Sequence, residues 1–441
     1  MSFQRYGTYR DSRVEWLGDV PSAWRVEPIK RNFRVVGGAT PKSDVEAYWD
    51  GELPWVTPAD LSKLNGWLIH DTSRTITQEG IASCAAELVP AGSVILSTRA
   101  PIGSLGIAAV PICTNQGCKA LVPAGDMDAR FLAYCLSAAA DELNNRGRGT
   151  TFLELSGDEL RAFALPLPTQ QEQRAVLAFL DRETAKIDAL VEEQRRLIDF
   201  LKEKRQAFIS HAVTKGLNPN VPMKDSGIEW LGEVPAHWEM RRAKHIFRKS
   251  DLAPPEASEV VTCFRDGQVT LRRNRREEGF TFAVLEVGYQ GVRPGQLVLH
   301  SMDAFAGAIG VSDSIGKCSP EYLVCDPWED DTCPYYFGRL LRLMALRGFI
   351  LAVCPSVRER APRIRFPDFA DLLLPYPPPA EQAAIAQRID DELAQLGNLQ
   401  AAAEDAVGLL QERRAALISA AVTGKIDVRD TAAAQAALEP A

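Results

Sequence analysis

Between Thr169 and Thr214 the chain alternates apolar and polar positions with a helical period. Leu180, Ile187, Leu190, Leu197, Leu201 and Phe208 fall on an alternating three-and-four spacing that places them on one stripe, interrupted by Glu183, Gln194 and Lys204. The stretch follows a Pro-x-Pro break at Pro166 and Pro168, stops at Lys215-Gly216 and holds neither Gly nor Pro between those marks. The pattern predicts a single helix of about 45 residues, roughly 65 Å long at ~1.5 Å per residue. A helix of that length with one apolar seam needs a partner.

The partner lies in the same chain. Pro375-Tyr-Pro-Pro-Pro-Ala-Glu381-Gln382 repeats Pro166-Leu-Pro-Thr-Gln-Gln-Glu172-Gln173 at a shift of 209 residues, and the same shift relates Ser419 to Ser210 and Thr423 to Thr214 at the far end. The stripe returns as Ile389, Leu396, Leu399, Leu410 and Leu417. Length is kept while surface residues drift, as expected of a spacer. The seam reads as intramolecular core, with the two helices antiparallel; Ala401-Ala402-Ala403 and the charged faces around Lys202–Arg205 and Glu412–Arg414 stay available to other subunits.

A second repeated block opens each half. Asp11-Ser-Arg-Val-Glu15-Trp16-Leu17-Gly18-Asp-Val20-Pro21-Ser-Ala-Trp24 matches Asp225-Ser-Gly-Ile-Glu229-Trp230-Leu231-Gly232-Glu-Val234-Pro235-Ala-His-Trp238 at a shift of 214. The chain therefore runs block, variable domain, long helix, twice over. The tryptophans Trp16, Trp24, Trp230 and Trp238 recur beside Leu, Gly, Val and Pro, which predicts packing of each block against a helix end.

The variable domains read as α+β. In the first, Leu53–Thr57 and Ser93–Ser97 are expected strands, Phe131–Leu143 an expected helix, and Asn144–Thr151 a flexible basic loop. In the second, Pro294-Gly-Gln-Leu-Val-Leu299 echoes the strand Ala91-Gly-Ser-Val-Ile-Leu96, Tyr335–Arg347 takes the place of the helix, and the loop after the strand changes. A common frame with different loops is how a binding scaffold varies its readers.

A length of 441 residues fits two or three domains. No basic segment followed by an apolar core opens the chain, so no signal peptide is expected. The longest uncharged run, between Arg99 and Lys119, is broken by Pro101, Gly103, Gly106 and Pro111 and does not read as a membrane span. The nine cysteines form no Cys-x-x-Cys pair, and Cys318, Cys325 and Cys333 lack zinc spacing; buried free thiols are the expectation. A formal net charge of -8 argues mildly against nucleic acid, but binding depends on where basic residues cluster.

No catalytic or cofactor signature is present: no phosphate-binding loop, no Gly-x-Gly-x-x-Gly, no amino-methyltransferase tetrapeptide, no nuclease motif. The histidines are scattered; His300 alone sits at a candidate reader loop. Arginine is concentrated at Arg272-Arg273-Asn274-Arg275-Arg276, at Arg358, Arg360, Arg363 and Arg365, and at Arg146 and Arg148. Such a run is often a solvated face. Recurrence in loops of both halves, beside a rigid spacer, favours duplex DNA, because arginine clamps phosphate and pairs bidentately with guanine.

The two Asp-Ser-x-x-Glu-Trp-Leu-Gly-x-Val-Pro-x-x-Trp blocks, the two Pro-x-Pro…Glu-Gln helix starts and the Ala-Val-Thr helix ends resemble the specificity subunit of type I restriction-modification systems. Arg265-Asp-Gly-Gln-Val-Thr270, His300-Ser-Met-Asp303 and Leu96-Ser-Thr-Arg-Ala-Pro-Ile-Gly103 also resemble variants of that family's target-recognition domains. The resemblance covers the chain apart from its first ten residues and its tail. It implies two tandem pseudo-symmetric repeats, each an α/β-type target-recognition domain followed by a long helix, the helices packed as an antiparallel coiled coil. The expected division is 1–24 and 217–238 for the blocks, 25–165 and 239–374 for the domains, 166–216 and 375–428 for the helices, and 429–441 for a flexible tail.

The implied work is cytoplasmic: each domain reads one half of a bipartite, asymmetric DNA site. The helices set the spacer and dock two adenine-N6 methyltransferase subunits and ATP-dependent restriction/translocase subunits, and S-adenosylmethionine, ATP and Mg reside on those partners. The chain itself is expected to be non-catalytic. Residues expected at the DNA are Lys42, Ser43, Arg99, Arg146, Arg148 and Thr150 in the first domain. In the second they are Arg265, Gln268, Arg272, Arg273, Arg275, Arg276, His300, Arg358, Arg360, Arg363 and Arg365. The other readings are a specificity module of another restriction or phage-defence complex, and a coiled-coil scaffold without a DNA role.

Overall fold

The computed structural model describes residues 3–64, 66–99, 101–149, 153–256, 258–275, 288–353 and 363–430. The chain divides into two compact units, Met1–Arg195 with Asp405–Ala441 and Arg196–Glu404. Each unit thus holds the start of one long helix and the end of the other.

The long helices are Gln170–Lys215 and Pro379–Val422. The first opens with a capping box: the Glu172 amide donates to Thr169 Oγ1 at 3.3 Å and the Thr169 amide to Glu172 Oε2 at 3.3 Å. It ends at Gly216, whose φ of 76° suits glycine.

The helix seam differs from the expected stripe. Leu180, Ile187 and Leu201 are buried and Phe208 is half-buried, but Leu190 and Leu197 are 45% and 42% exposed. The seam passes instead through Thr184 and Val191, which are buried, and through Gln194 and Ile198, which are half-buried. The alternating step falls four residues after Leu180 and Ile187 where the sequence pattern invited three, so the neighbouring leucines turn outward. In the second helix Ile389 and Leu396 are buried and Leu410 and Leu417 half-buried, while Leu399 is 56% exposed and Ala403 takes the seam position. Ala403 is therefore core, not part of an open alanine face.

Within the first unit, Val176, Leu177, Phe179 and Leu180 share a core with Ile418, Ala421 and Val422, and Arg414 bonds Asp188 at 2.9 Å. Later residues of one helix meet earlier residues of the other, so the two helices run antiparallel within this unit. Within the second unit, Ala212 and Val213 share a core with Ile385 and Ile389, and Lys204 reaches Glu392 at 3.8 Å, the same arrangement.

The variable region of the first unit has a five-stranded sheet in the order Phe33–Gly37, Cys118–Pro123, Val94–Thr98, Ile102–Ala108, Leu68–Ile69. That of the second has four strands in the matching order Phe247–Lys249, Tyr322–Pro327, Leu297–His300, Ile309–Val311. A helix packs across each sheet: Ala129–Ala138 in the first and Pro334–Leu346 in the second. The expected helix over 131–143 is two helices, because the chain leaves helical geometry at Ala139 (φ -98°, ψ 15°) before resuming over Ala140–Asn145.

The repeated sequence blocks have repeated jobs. Tyr9–Asp11 pairs with Asp19–Pro21, and Met223–Asp225 with Glu233–Pro235, in antiparallel hairpins. Trp24 and Trp238 are fully buried. Trp24 Nε1 donates to Glu172 Oε1 at 3.2 Å, and a Cβ on Gly424 would fall 2.4 Å from Pro21 and 3.1 Å from the Trp24 ring. Each block thus clasps the start of its following long helix and the end of the other. In the second unit His237 bonds Glu381 at 2.7 Å while the Trp238 ring lies against Gly216.

The repeated glutamines fix the variable regions to the helices. Gln173 accepts from the Asp128 amide at 2.7 Å and donates to the Asp126 and Pro168 carbonyls at 3.1 Å. Gln382 accepts from the Cys333 amide at 2.9 Å and donates to the Pro377 carbonyl at 2.8 Å. Asp128 and Cys333 are the residues that open the two sheet-packed helices. Arg130 with Asp181, and Arg339 with Asp390, add an ion pair at matching points of the long helices.

Six of the eight described cysteines are buried and all eight are free. Among the described residues no helix is long and apolar enough to cross a membrane, and no group of three or more His, Cys, Asp or Glu could hold a metal.

Candidate nucleic-acid interface

In the first unit the candidates come from three separated segments. Lys42 and Ser43 are exposed, in a loop held because Trp49 Nε1 donates to the Lys42 carbonyl at 3.1 Å. Thr40 of that loop hydrogen-bonds Gln116, and the Thr98 amide donates to the Gly117 carbonyl at 2.8 Å, which ties the loop to the end of strand Val94–Thr98. Arg99 follows that strand and bridges to Glu154, which exchanges backbone hydrogen bonds of 3.0 Å with Arg148. One chain of contacts therefore links Lys42, Ser43, Arg99 and Arg148.

Arg148 is 84% exposed, with Glu159 at 3.0 Å. Arg146 is held more firmly: it bonds Glu142 at 2.8 Å and lies 4.8 Å over the Phe163 ring. Thr150 lies outside the described residues.

In the second unit the loop after strand Leu297–His300 gathers three candidates. Arg265 bonds Asp303 at 2.9 Å. His300 Nδ1 accepts the Asp303 amide at 3.1 Å, with its ring 4.6 Å from Tyr322. Arg363 bonds Met302 Sδ at 3.3 Å and pairs with Glu321 at 3.4 Å. Because Nδ1 accepts, the neutral ring carries its proton on Nε2, a donor. Burial pulls the His300 pKa below its ordinary value; Asp303 and Glu321 act against this and Arg265 adds to it.

The remaining candidates surround the hairpin Val261–Cys263 and Val269–Leu271. Gln268 is exposed, and its amide donates to Asp266 at 3.1 Å. Arg275 pairs with Asp266 at 2.5 Å over the Phe264 ring, Arg273 with Glu259 at 2.7 Å, and Arg272 Nε lies 3.5 Å from Thr262 Oγ1. Arg365 stands apart, opening helix Phe366–Ala370 with its amide on Asp368 at 2.9 Å. Arg276, Arg358 and Arg360 lie outside the described residues.

Arg146, Arg148, Arg265, Arg273, Arg275 and Arg363 each have a carboxylate beside them. Exposed pairs of this kind contribute about 0–1 kcal/mol, so a phosphate can take the guanidinium at little cost while the pair fixes its position beforehand. Sequence reasoning missed Asp303, which orients both Arg265 and His300, and Arg342, whose amino group donates to the Arg265 carbonyl at 3.3 Å. Burial lowers the Arg342 pKa from its ordinary value; Asp266 opposes the shift and Arg205 adds to it. An isolated arginine on a helix carries no motif, and only its burial marks it.

The fold and its loops define a duplicated frame with two different sets of polar loops. Residues 21–198 match the family model for the type I restriction modification DNA specificity domain. The chain is 43% identical over 344 residues to the type I restriction enzyme EcoBI specificity subunit of Escherichia coli, covering 72% of this chain and 70% of that protein. It is 30% identical over 239 residues to the MjaIX specificity subunit of Methanocaldococcus jannaschii, where the match spans about half of each protein, 53% of both. The HsdS subunit from Thermoanaerobacter tengcongensis has a similar fold, with a TM-score of 0.53 at 16% identity over 96% of this chain and all (100%) of that one. The chain belongs to the specificity subunits of type I restriction enzymes.

Proposed function

We propose that this chain selects the DNA sequence for a type I restriction-modification complex. The observation that carries the reading is a frame kept twice, down to the Glu-Gln and Trp clasps, with loops that differ at the equivalent strand ends. Residues 25–165 read one half-site and 239–374 the other; the segments 166–216 and 375–428 set the spacer, and the blocks 1–24 and 217–238 anchor the helix ends. Arg99 and Arg148 in the first domain, and Arg265, Gln268, Arg272, Arg273, Arg275, His300, Arg363 and Arg365 in the second, meet base edges and phosphates. Lys42, Ser43, Arg146, Thr150, Arg276, Arg358 and Arg360 complete the contact set.

The chemistry belongs to the partners. Two methyltransferase subunits with S-adenosylmethionine, and restriction subunits with ATP and Mg, dock on the helices. The test is methylome sequencing of cells with this chain and its methyltransferase against cells lacking only this chain. A split N6-methyladenine motif that disappears with the chain is expected. An unchanged methylation pattern, together with no salt-dependent binding of duplex DNA by the purified chain, would overturn the reading.

A further inference from the structure

The second unit contains a cavity of about 300 Å³ beneath the 266–268 turn, walled by the first long helix, strand Ile309–Val311 and helix Pro334–Leu346. Three arginines line it: Arg205, Arg339 and Arg342. Arg339 is committed to Asp390, and Asp266 at the rim to Arg275 and the Gln268 amide. Arg342 is not committed in this way. It donates to one backbone carbonyl, that of Arg265, at 3.3 Å, and its Nε is closed off from solvent with no hydrogen-bond partner among the described residues. Among those residues neither Arg205 nor Arg342 has a carboxylate in ion-pair range.

With Arg339 held by Asp390, the lining leaves Arg205 and Arg342 against the single carboxylate of Asp266, which Arg275 shares, so the charge balance of the cavity stays positive. The turn is built to lie close over it, because a Cβ on Gly267 would fall 2.6 Å from Arg342 Cδ. A tetrahedral oxyanion in the cavity would accept from the terminal guanidinium N–H groups of Arg205 and Arg342 and balance their charge. We propose that this cavity is a phosphate-binding site in which Arg205 and Arg342 hold the oxyanion. The proposal rests on the DNA reading for its source: the turn above the cavity carries Gln268 and adjoins Arg265, so a backbone phosphodiester of the bound duplex supplies the group. Free phosphate or a nucleotide shares the same chemistry and is the other source.

The experiment uses the full chain as wild type, Arg205→Gln and Arg342→Met. Arg205 is exposed on its helix, so its variant keeps the fold even where loss of Arg342 does not. Inorganic phosphate is titrated calorimetrically, and duplex binding is followed by fluorescence anisotropy across a salt series. Wild type is expected to bind phosphate, and Arg205→Gln to weaken that binding at least about tenfold, the loss of one charge-assisted contact. In the DNA arm Arg205→Gln should weaken cognate and unrelated duplexes by the same factor and reduce the slope of log K against log salt by about 0.9, one phosphate contact. Phosphate binding with an unchanged DNA slope keeps the site and assigns it to free phosphate or a nucleotide. No phosphate binding and an unchanged slope, with specific DNA binding intact, removes the site and leaves the specificity reading standing. Phosphate binding by a chain that binds no duplex removes the specificity reading and leaves the site. A variant that loses cognate binding alone would mean base readout and would overturn the proposal.

Discussion

Strands Val94–Thr98 and Leu297–His300 hold the same place in sheets of the same order, yet the chain leaves them differently. In the first unit Ser97 Oγ donates to the Pro101 carbonyl at 2.7 Å and accepts the Ser104 amide at 2.8 Å, so the chain turns straight into the next strand. In the second unit the corresponding position is His300, and a short helical turn, Ala304–Ala306, intervenes before Ile309–Val311. That longer path supplies Asp303, and Asp303 collects Arg265 and His300. Side chains facing the core must satisfy one packing geometry twice. A strand end facing solvent has no such constraint, and there the halves diverge. The duplication therefore separates what builds the frame from what is free to vary.

The change with the greatest consequence lies in the helices. One turn of about 5.4 Å added to both should lengthen the spacer of the methylated motif by roughly one to two base pairs and leave both half-sites alone. An unchanged spacer in the methylome would remove the ruler role. Next come the buried glutamines. Gln173→Leu and Gln382→Leu each strand a helix-opening amide and should destabilise their own unit by about 1–3 kcal/mol, read in denaturant melts with hydrogen exchange resolved by unit. Loss spread evenly over both units would contradict the assignment.

A smaller effect belongs to His300, which the first unit lacks. Its folded pKa lies below the unfolded value of about 6.5, so the unfolded chain takes the proton more readily. The stabilisation is complete above that value and is lost as pH falls toward the folded pKa. Below pH 6.5 the second unit should lose stability more steeply than its His300→Gln variant; parallel pH profiles would contradict this.

The smallest effect sharpens the likeness. Trp24 finds Glu172, but in the second unit His237 occupies Glu381 and Trp238 Nε1 has no partner among the described residues. His237→Ala restores the residue found in the first unit, frees Glu381 for Trp238, and should change stability by less than about 1 kcal/mol. A larger loss would mean that the histidine pair carries the clasp.

The repeats made the frame legible in the sequence. Pro-x-Pro and Lys-Gly marks set the expected helix at 169–214 against Gln170–Lys215 in the structure, and recurrent tryptophans beside Val and Pro foretold the clasps. The seam was harder to read, because Leu190 and Val191 are adjacent and equally apolar; only the partner helix decides which faces inward. Alanine at 403 likewise gives no sign of burial. At the interface, arginine-rich loops identified candidates but not their partners. The roles of Asp303 and Arg342 depend on segments far apart in sequence meeting in space, and no local pattern records that.

That one frame carries two independent readers is tested by replacing residues 25–165 with the equivalent segment of another specificity subunit and sequencing the methylome. The account predicts that one half-site changes while the other half-site and the spacer stay as they were. Alteration of both half-sites, or of the spacer, would contradict it.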